Sequence, residues 1–507
     1  MFCLQLWVDN TLATGRWARN MVREPAPPRR PSPAPFENPR CPVSLLIVLA
    51  ALCFLMYMAY RGHSVILFAP IAALGAVLLT DPGLVAPMFS GLFMAKMVGF
   101  IQNYFPVFLL GAIFGKVIEM SGFARTIVQS VMRLIGPKRA ILAIVLVCAI
   151  LTYGGVSLFV VVFAVYPFAA EMFRMSDIPK RLIPGTIALG AFTFTMDALP
   201  GTPQIQNIIP TTFFKTTAYA APLLGLVGAA FVFTLGMLYL ERARRRAEAA
   251  GEGYGSGHTN EPTTYDEGRA IHPALALLPL ILVGVVNKLL TSWIPTVYGE
   301  KVSFTPTVVG KSDPVSVTVS STVAIWAVEG ALLVGILSVL VLAWRPVTAH
   351  FTQGSKDAVA GAMLAATNTA SEYGFGAVIA ALPGFAVVAS GLKAIPNPLI
   401  NEAVTVNILA GITGSASGGM SIALGAMSQQ FIDAANASGI PMEVLHRVAS
   451  MASGGMDTLP HNGAVITLLA VTGLSHKVSY KDIFAMTVIK TLAVFVIIGF
   501  YYLTRLV

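Results

Sequence analysis

Two aspartates lie inside apolar stretches of the sequence, and each is followed closely by proline. Asp197 begins the run DALPGTPQIQN, and Asp457 begins the run DTLPHNG. Because proline lacks a backbone donor and clashes with the preceding helical turn, a helix must open at each run. A carboxylate inside a bilayer is costly and marks an ion pathway or a functional site by default. We therefore predict that Asp197 and Asp457 carry the coupling ion, with capping of a re-entrant half-helix as the alternative role.

Uncharged polar side chains and one histidine follow these aspartates. Amide and hydroxyl groups donate and accept hydrogen bonds, as recognition of a hydroxylated substrate requires. A histidine near Asp457 adds a group that titrates near neutral pH or binds substrate. The substrate-binding candidates in these runs are Thr202, Gln204, Asn207, His461 and Asn462.

A Gly-Gly-x-Ser motif occurs in each half of the sequence, within an apolar segment. Two glycines cost a helix about 2 kcal/mol relative to alanine, so each motif predicts a break in a membrane helix. A break frees backbone N–H groups that hydrocarbon cannot satisfy, and the helix that starts there can bind a carboxylate. Close helix packing through small residues is the alternative interpretation. The candidate binding residues are Gly154, Gly155 and Ser157 in the first motif and Gly418, Gly419 and Ser421 in the second.

A third polar island, ATNTASEYG at Ala366–Gly374, occurs only in the second half. Its counterpart near Phe105–Ile113 is wholly apolar. Small hydroxyl and amide groups in apolar sequence favour a binding loop, which makes Asn368 and Thr369 substrate-binding candidates. Glu372 is a third acid predicted to lie in the membrane and to couple ion movement, with an interfacial position as the alternative.

These landmarks recur in the same order in the two halves of the chain. FGKVIEMSGF from Phe114, TYGGVS and MDALPGTPQ are followed by FGAVIAALPGF from Phe375, SGGMS and MDTLPHNGA. Each pair is displaced by about 260 residues, which indicates an internal duplication. Duplicated halves, often with inverted topology and a site at their interface, are typical of secondary transporters, so we predict inverted halves here.

Membrane helices must position these residues. The chain has 507 residues, of which 56% are hydrophobic and only 11% are charged, whereas soluble domains carry about a quarter charged residues. Several apolar runs approach the roughly 20 residues that cross a bilayer, and the alternating strands of a membrane barrel are missing from the pattern. We predict an all-α polytopic membrane protein of about 11–14 spans, with broken helices and re-entrant hairpins.

Polar stretches divide the chain into segments. Residues 1–42 are rich in proline and arginine and are predicted to form a disordered tail. The first transmembrane half, 43–240, is followed by a linker, 241–272, whose opening ERARRR places it in the cytoplasm. The second transmembrane half, 273–507, contains a polar loop, 293–321, which lies one span beyond the linker, so we expect it on the outer side of the membrane as a small hairpin.

The basic balance of the chain does not indicate a nucleic-acid partner. The formal net charge is +9, but the lysines and arginines lie in connections between apolar runs, where they orient membrane proteins. Lys215, Lys393 and Arg447 are interpreted as span ends, and no embedded arginine is predicted to clamp a carboxylate. The four cysteines lack metal-ligand spacing and the sequence has no phosphate-binding loop. We predict no cofactor, no metal site and an ion gradient as the energy source.

The motifs TYGGVS, MDALPGTPQIQN and SMASGGMDTLPHNGAVITLL make the chain resemble the gluconate permease family, within the ion transporter superfamily of inverted-repeat carriers. The resemblance extends from about Val43 to the C-terminus. It implies a multi-pass protein of the bacterial inner membrane that takes up gluconate or related hydroxy-monocarboxylates with protons. The family's run His-Gly-x-Leu-Pro-Pro-His-Pro-Gly-Pro is replaced here by Met196–Asn207, which makes the chain more similar to the hydroxybutyrate-permease branch.

The predicted function is therefore proton-coupled symport of a small hydroxy-monocarboxylate of the 3-hydroxybutyrate or gluconate type. The predicted partners are that organic anion, H⁺ or Na⁺, the lipid bilayer and a second copy of the chain in a homodimer. A citrate or dicarboxylate carrier coupled to sodium is the alternative transporter. More distant alternatives are an intramembrane hydrolase built on Asp197, Asp457 and His461, and a channel, because broken helices also build filters.

Overall fold

The structure is a computed structural model, and it describes most of the chain from Cys41 onward. The described residues are 41–507 except 62, 137–138, 157, 262–270, 306–313, 394 and 461. Two of the predicted site residues, Ser157 and His461, lie outside the described residues. Residues 1–40 of the predicted N-terminal tail also lie outside them.

The first half of the described chain is helical almost throughout. Its helices are α1 (Cys41–Tyr60), α2 (Val65–Thr80), α3 (Val85–Pro87), α4 (Met94–Met120), α5 (Phe123–Ile135), α6 (Ala140–Tyr153), α7 (Leu158–Met175), α8 (Ile183–Ala191), α9 (Phe194–Asp197), α10 (Ile205–Phe214) and α11 (Pro222–Ala249). A 3₁₀ turn at Pro82–Leu84 and a π-helical stretch at Met88–Phe93 join α3 and α4 into one continuous segment, and a further 3₁₀ turn at Lys180–Leu182 precedes α8.

The second half repeats this helical character. Its helices are α12 (Pro273–Tyr298), α13 (Val319–Leu342), α14 (Trp344–Ala381), α15 (Pro383–Lys393), α16 (Pro398–Thr413), α17 (Ala416–Ala437), α18 (Met442–Gly455), α19 (Gly463–Thr472) and α20 (His476–Thr504). The strands β1 (Lys301–Phe304) and β2 (Val315–Thr318) pair antiparallel, with Lys301 opposite Thr318. This small hairpin agrees with the one predicted inside the polar loop.

The predicted fold class, an all-α polytopic membrane protein, is confirmed. Within the described residues, five helical segments are long and apolar enough to cross a bilayer. They are Pro82–Met120, Pro222–Ala249, Pro273–Tyr298, Val319–Leu342 and His476–Thr504. Shorter apolar helices, such as α6 and α19, cannot cross about 30 Å of hydrocarbon alone, so they must pair end to end or re-enter the membrane.

The surface of the spanning helices is apolar as well as the interior. Large hydrophobic side chains stand exposed on several of these helices, where a soluble protein would carry charge. Examples on the spanning helices are Leu238, Ile281, Leu337 and Leu492, and the shorter apolar helix α2 exposes Leu67 and Leu78 in the same way. Such a surface is stable only when lipid covers it, which agrees with the membrane location.

The order of the helices recurs in the two halves. The helices α6, α7 and α10 begin about 260 positions before α16, α17 and α19, respectively. Helices of the two halves pack against each other. The helix α4 packs along α14, and α11 packs on α20. In addition, α2 packs on α14, and α13 packs on α4. An internal duplication would produce such reciprocal contacts between matching helices. The inverted topology of the two halves remains a prediction.

The predicted linker begins later than its sequence boundary, because α11 continues to Ala249 and takes the basic ERARRR cluster into the helix. The segment after α11 is fastened to the turn before α8. Arg181 Nε lies 2.7 Å from Glu252 Oε1, and Lys180 Nζ lies 2.8 Å from Glu261 Oε1. The described part of the linker is therefore held against the helical body by ion pairs.

Candidate functional site

The first predicted break lies between α6 and α7. Gly154 ends α6, and Gly155 follows with φ +96°, a conformation that residues with a side chain rarely adopt. A Cβ added at Gly155 would lie 3.3 Å from Pro203 Cγ. The interruption predicted at this motif is confirmed, and it lies against the second interruption of the same half.

The second interruption of the first half separates α9 from α10, where the Pro-Gly-x-Pro run opens the helix as predicted. Gln204, immediately before α10, connects the two interruptions. Its Nε2 donates to the Thr152 carbonyl at 2.7 Å and to the Val156 carbonyl at 3.3 Å. The Val156 carbonyl lies in the interruption, and the Thr152 carbonyl at the end of α6 also accepts from the Gly155 N–H at 3.1 Å, so one amide side chain compensates for the break.

In the second half the break lies a few residues before the position that the glycine pair predicted. Gly414 has φ +67°, and Ser415 Oγ accepts a hydrogen bond from the Gly418 N–H at 3.1 Å as the cap of α17. The prediction of a break at Gly418 and Gly419 is therefore wrong, because these residues lie in the first turn of α17. A Cβ at Gly419 would overlap the backbone of Ala410, so close helix packing explains this glycine.

Asn462 connects the two interruptions of the second half. Its Nδ2 donates to the Gly414 carbonyl at 2.6 Å, while its Oδ1 accepts from the Ala464 N–H at 2.6 Å and caps α19. Gln204 and Val156 occupy the matching positions about 260 residues earlier. The same amide-to-carbonyl connection thus occurs in both halves.

Asp197 and Asp457 belong to one buried cluster of charges. Asp457 forms an ion pair with Lys490 on α20, and Lys490 Nζ also donates to the Phe192 carbonyl at 3.1 Å. Asp197 lies within electrostatic range of Lys490, Asp457 and Arg447. Two acids and two bases therefore balance one another inside the protein, where an unpaired charge would be costly.

Arg447 is fully buried, so its interpretation as a span end is wrong. Its guanidinium donates to the Asp197 carbonyl at 3.0 Å, to Asn207 Oδ1 at 3.1 Å and to the Ala220 carbonyl at 2.7 Å. His446 Nε2 also lies 3.2 Å from Asn207 Oδ1. The amide of Asn207, predicted to bind substrate, is thus engaged by protein groups that join α18 to the first half.

The third polar island is not a loop, because residues 366–374 lie inside the long helix α14. Their small side chains are compatible with a helix that packs closely on α17. Thr369 Oγ1 lies 3.4 Å from Ser417 Oγ, and Glu372 bonds with Ser415 at the start of α17. A Cβ at Gly418 would collide with the Glu372 carboxylate. Glu372 is therefore buried at a helix N-terminus rather than at an interface.

Several buried polar atoms near the interruptions have no hydrogen-bond partner within the described residues. Because more than about 90% of buried polar groups are normally bonded, such a group needs an explanation, and bound substrate, ion or water is one. In the first half these atoms are Thr152 Oγ1, Thr202 Oγ1 and Gln206 Oε1; in the second half they are Asn368 Oδ1, Glu372 Oε2, both carboxylate oxygens of Glu402, both amide atoms of Asn407, and Ser421 Oγ.

The geometry brings most predicted residues together and adds five that the sequence interpretation missed. The helix α10 packs against α17 and α18, so the interruptions of one half lie beside helices of the other. The added residues are Glu402, Asn407, His446, Arg447 and Lys490, all buried. Each is a polar side chain inside an apolar stretch, the same signal that identified the aspartates, so a stricter search for that signal finds them.

Comparison with other proteins gives one similar relative. No protein-family model matches the chain. The chain is 61% identical over 474 residues to the uncharacterized transporter YxjC of Bacillus subtilis (strain 168), covering 92% of this chain and 100% of that protein. Among solved structures, the YdaH transporter of Alcanivorax borkumensis has a TM-score of 0.47 at 15% identity, covering 91% of this chain and 99% of that one. MtrF of Neisseria gonorrhoeae has a TM-score of 0.45 at 14% identity, covering 80% and 82%. TM-scores this low establish no shared fold.

Proposed function

Because the chain belongs to the same family as the transporter YxjC of Bacillus subtilis, we propose that it is a proton-coupled symporter of small hydroxy-monocarboxylates. Membership of that family makes the chain a transporter, and its apolar helices make it a multi-pass membrane protein. The membrane hydrolase alternative is set aside for the same reason. The substrate class and the coupling ion are the proposed parts.

The observation that carries the proposal is the pair of helix interruptions held together in each half by Gln204 and Asn462. Half-helices that start inside a membrane protein present free N–H groups and a partial positive charge, which suit a carboxylate. Transporters place such discontinuous helices around the substrate near the middle of the bilayer. We assign substrate binding to the α7 and α10 starts in the first half and to the α19 start in the second.

Specific side chains would recognise the rest of the substrate. The buried Thr202 hydroxyl and the Asn368 amide oxygen have no protein partner within the described residues, so they are suited to the hydroxyl of a hydroxy acid. Ser157 and His461, which lie outside the described residues, keep their proposed binding roles.

The two buried cations near the interruptions, Arg447 and Lys490, favour a substrate of low charge. Arg447 donates to backbone carbonyls and to Asn207, and Lys490 is paired with Asp457. Both cations are therefore already compensated by protein groups. A substrate with two or three carboxylates would require further cations at the site, so the citrate or dicarboxylate alternative is less favoured.

Buried acids support coupling to a cation, and we propose the proton. A carboxyl group in a water-poor interior can exist in a neutral, protonated form, whereas a sodium site requires several oxygen ligands around one point. Membership of the gluconate permease family, a position in the bacterial inner membrane and a homodimeric state complete the proposal.

An uptake panel in proteoliposomes tests this function. Purified protein is reconstituted and offered radiolabelled gluconate, 3-hydroxybutyrate, lactate and citrate, each with an imposed proton gradient or an imposed sodium gradient. We expect saturable accumulation of a hydroxy-monocarboxylate driven by the proton gradient alone. Accumulation of citrate, or stimulation by sodium but not by protons, would replace the proposal with its alternative, and uptake that never saturates would indicate a channel.

A further inference from the structure

One buried acid lies apart from the charge cluster. Glu402 is on α16, and none of its side chain is exposed. Neither carboxylate oxygen has a hydrogen-bond partner within the described residues. A carboxylate normally accepts several hydrogen bonds or faces a cation when it is buried, so this environment is unusual.

Among the described side chains, no charged group compensates Glu402. The helix α16 packs against α1, α15, α17, α18 and α20. The charged or titratable side chains described on these helices are Cys53, Tyr57, Asp433, Glu443, His446, Arg447, His476, Lys477, Tyr480, Lys481, Asp482, Lys490, Tyr501 and Tyr502. The side chains of Cys41, Tyr60 and Lys393 lie outside the described part of these helices. None of the described side chains interacts electrostatically with Glu402. The ionised form would therefore be an unpaired buried charge, and its desolvation costs several kcal/mol.

The other three buried acids near the interruptions each have compensation. Asp457 is paired with Lys490, and Asp197 lies within range of Lys490 and Arg447. Glu372 bonds with Ser415 at the N-terminus of α17, where the helix dipole favours negative charge. Within the described residues, Glu402 alone among the four has neither a cation nor a hydrogen-bond donor beside its carboxylate.

Glu402 is also connected to the second interruption through its own helix. Asn407, on the same helix, has both amide atoms without a partner within the described residues and lies against Gly455 at the end of α18. A Cβ added at Gly411 would lie 3.1 Å from Met456 Cβ. A movement of the segment that opens after α18 must therefore shift α16, which changes the surroundings of Glu402.

We propose that Glu402 is the residue that binds the transported proton: it is protonated in the conformation described here and releases the proton when the α16–α18 contact opens. The inference deepens the proposed function, on which it rests, by assigning the coupling proton to α16 instead of to Asp457. In the protonated form the carboxyl is neutral and can stay in an apolar interior. Opening the contact admits water or a cation, which stabilises the carboxylate and drives release.

Infrared spectroscopy of the purified full chain tests the protonation state directly. The measurement follows the C=O stretch of a neutral carboxylic acid. This band shifts when H₂O is replaced by D₂O, because the acid proton exchanges for deuterium. We expect a neutral carboxyl band near neutral pH that disappears in Glu402→Gln and moves in Glu402→Asp. The matched control, Glu443→Gln, removes an exposed acid from α18 and should leave the band unchanged. A band that is the same in wild type and Glu402→Gln would overturn the proposal.

Folding of the variant is part of the same test. Glutamine has the size and charge of protonated glutamic acid, so Glu402→Gln should keep the wild-type melting temperature. A Glu402→Gln variant that fails to fold would show that the carboxylate form is needed, and this too would overturn the proposal.

Transport assays separate this inference from the proposed function. For a solute that the wild type accumulates, Glu402→Gln should retain exchange of labelled for unlabelled solute and lose accumulation driven by a proton gradient. Full gradient-driven accumulation in Glu402→Gln would refute the assignment of Glu402 while the proposed symport stands. Failure of the wild type to accumulate any solute of the panel would instead refute the proposed function, even if the infrared band is assigned to Glu402.

Discussion

The helices α6 and α16 occupy matching places in the two halves, yet their interiors differ. The sequence of α6 is AILAIVLVCAILTY, with an apolar side chain at nearly every buried position, whereas α16 carries the buried polar residues Glu402, Thr405 and Asn407. The same contrast holds between the apolar stretch near Phe105–Ile113 and the α14 segment that contains Glu372. The helical scaffold recurs, while the buried acids Glu372 and Glu402 have no acidic counterpart in that apolar stretch or on α6.

The two buried cations near the interruptions follow the same division, whereas buried Lys180 of the first half pairs with the linker. Arg447 on α18 and Lys490 on α20 belong to the second half, and both donate to backbone carbonyls of the first half, at Asp197, Ala220 and Phe192. The matching helices of the first half, α8 and the buried part of α11, are apolar. The second half supplies the charged side chains, and the first half supplies carbonyl groups that receive them. Two halves with matching helices therefore need not contain two equal sites.

The largest expected effect is on the buried ion pair. Asp457→Asn leaves Lys490 charged, buried and without its carboxylate, which should lower the free energy of unfolding by about 3–5 kcal/mol and abolish coupled uptake. The double variant Asp457→Asn/Lys490→Met removes both charges and should recover much of the stability without uptake. Thermal unfolding in detergent measures both changes, with Asp433→Asn, an exposed acid on α17, as the control.

If the single and double Asp457 variants are equally unstable, the pair is not the reason for the loss. If Asp457→Asn keeps full uptake, Asp457 has no part in the transport mechanism, and the contrast between the two halves is weaker than we infer.

The two amide connections should differ in strength although they occupy matching positions. Asn462→Ala removes both the hydrogen bond to Gly414 and the cap of α19, and we expect a loss of about 2 kcal/mol. Gln204→Ala removes only the bridge to the end of α6, with an expected loss of about 1 kcal/mol. Denaturant or thermal unfolding of the two variants gives the difference, and equal losses would mean that the cap contributes nothing.

The glycine at the first interruption should tolerate no side chain. Gly155→Ala places a Cβ on a residue with φ +96°, which costs about 1–2 kcal/mol and should also reduce uptake because the interruption is displaced. Gly284→Ala on α12, where an added Cβ meets nothing within 4 Å, is the control and should be neutral or slightly stabilising. Wild-type uptake and stability in Gly155→Ala would contradict the requirement for a left-handed conformation here.

The smallest expected effect is at the exposed linker. Glu252→Gln breaks the ion pair with Arg181, both partly exposed, and should change stability by less than about 1 kcal/mol. The hydrogen bond to Arg181 lowers the pKa of Glu252, so the contact is complete above the ordinary glutamate pKa and is lost as pH falls through the lowered value. Because glutamine does not titrate, protease should cleave the linker of Glu252→Gln faster than that of the wild type above the ordinary glutamate pKa, and this difference should disappear as pH falls. An unchanged cleavage profile would mean that this pair does not fasten the linker.

Local signals let the sequence predict much of this protein. Composition and long apolar runs determine a helical membrane protein, because hydrocarbon satisfies no backbone polar group and the chain must do so itself. The prolines after Asp197 and the glycine at Gly155 act on their own backbone, so the breaks there were predictable. At Gly418 and Gly419 the same glycine pair has another cause, which is the closeness of α16, and no local pattern separates the two.

The sequence by itself determined where the chain is interrupted and that the interruptions occur twice. Only the tertiary structure decided which charge faces which: Lys490 lies 33 positions from its partner Asp457, and Arg447 lies 250 positions from the Asp197 carbonyl that it binds. Charge compensation depends on distances between helices, which residue spacing within one helix does not specify. For the same reason only the packed structure distinguishes Glu402, a buried acid with no cation beside it among the described side chains, from Asp457, which has one.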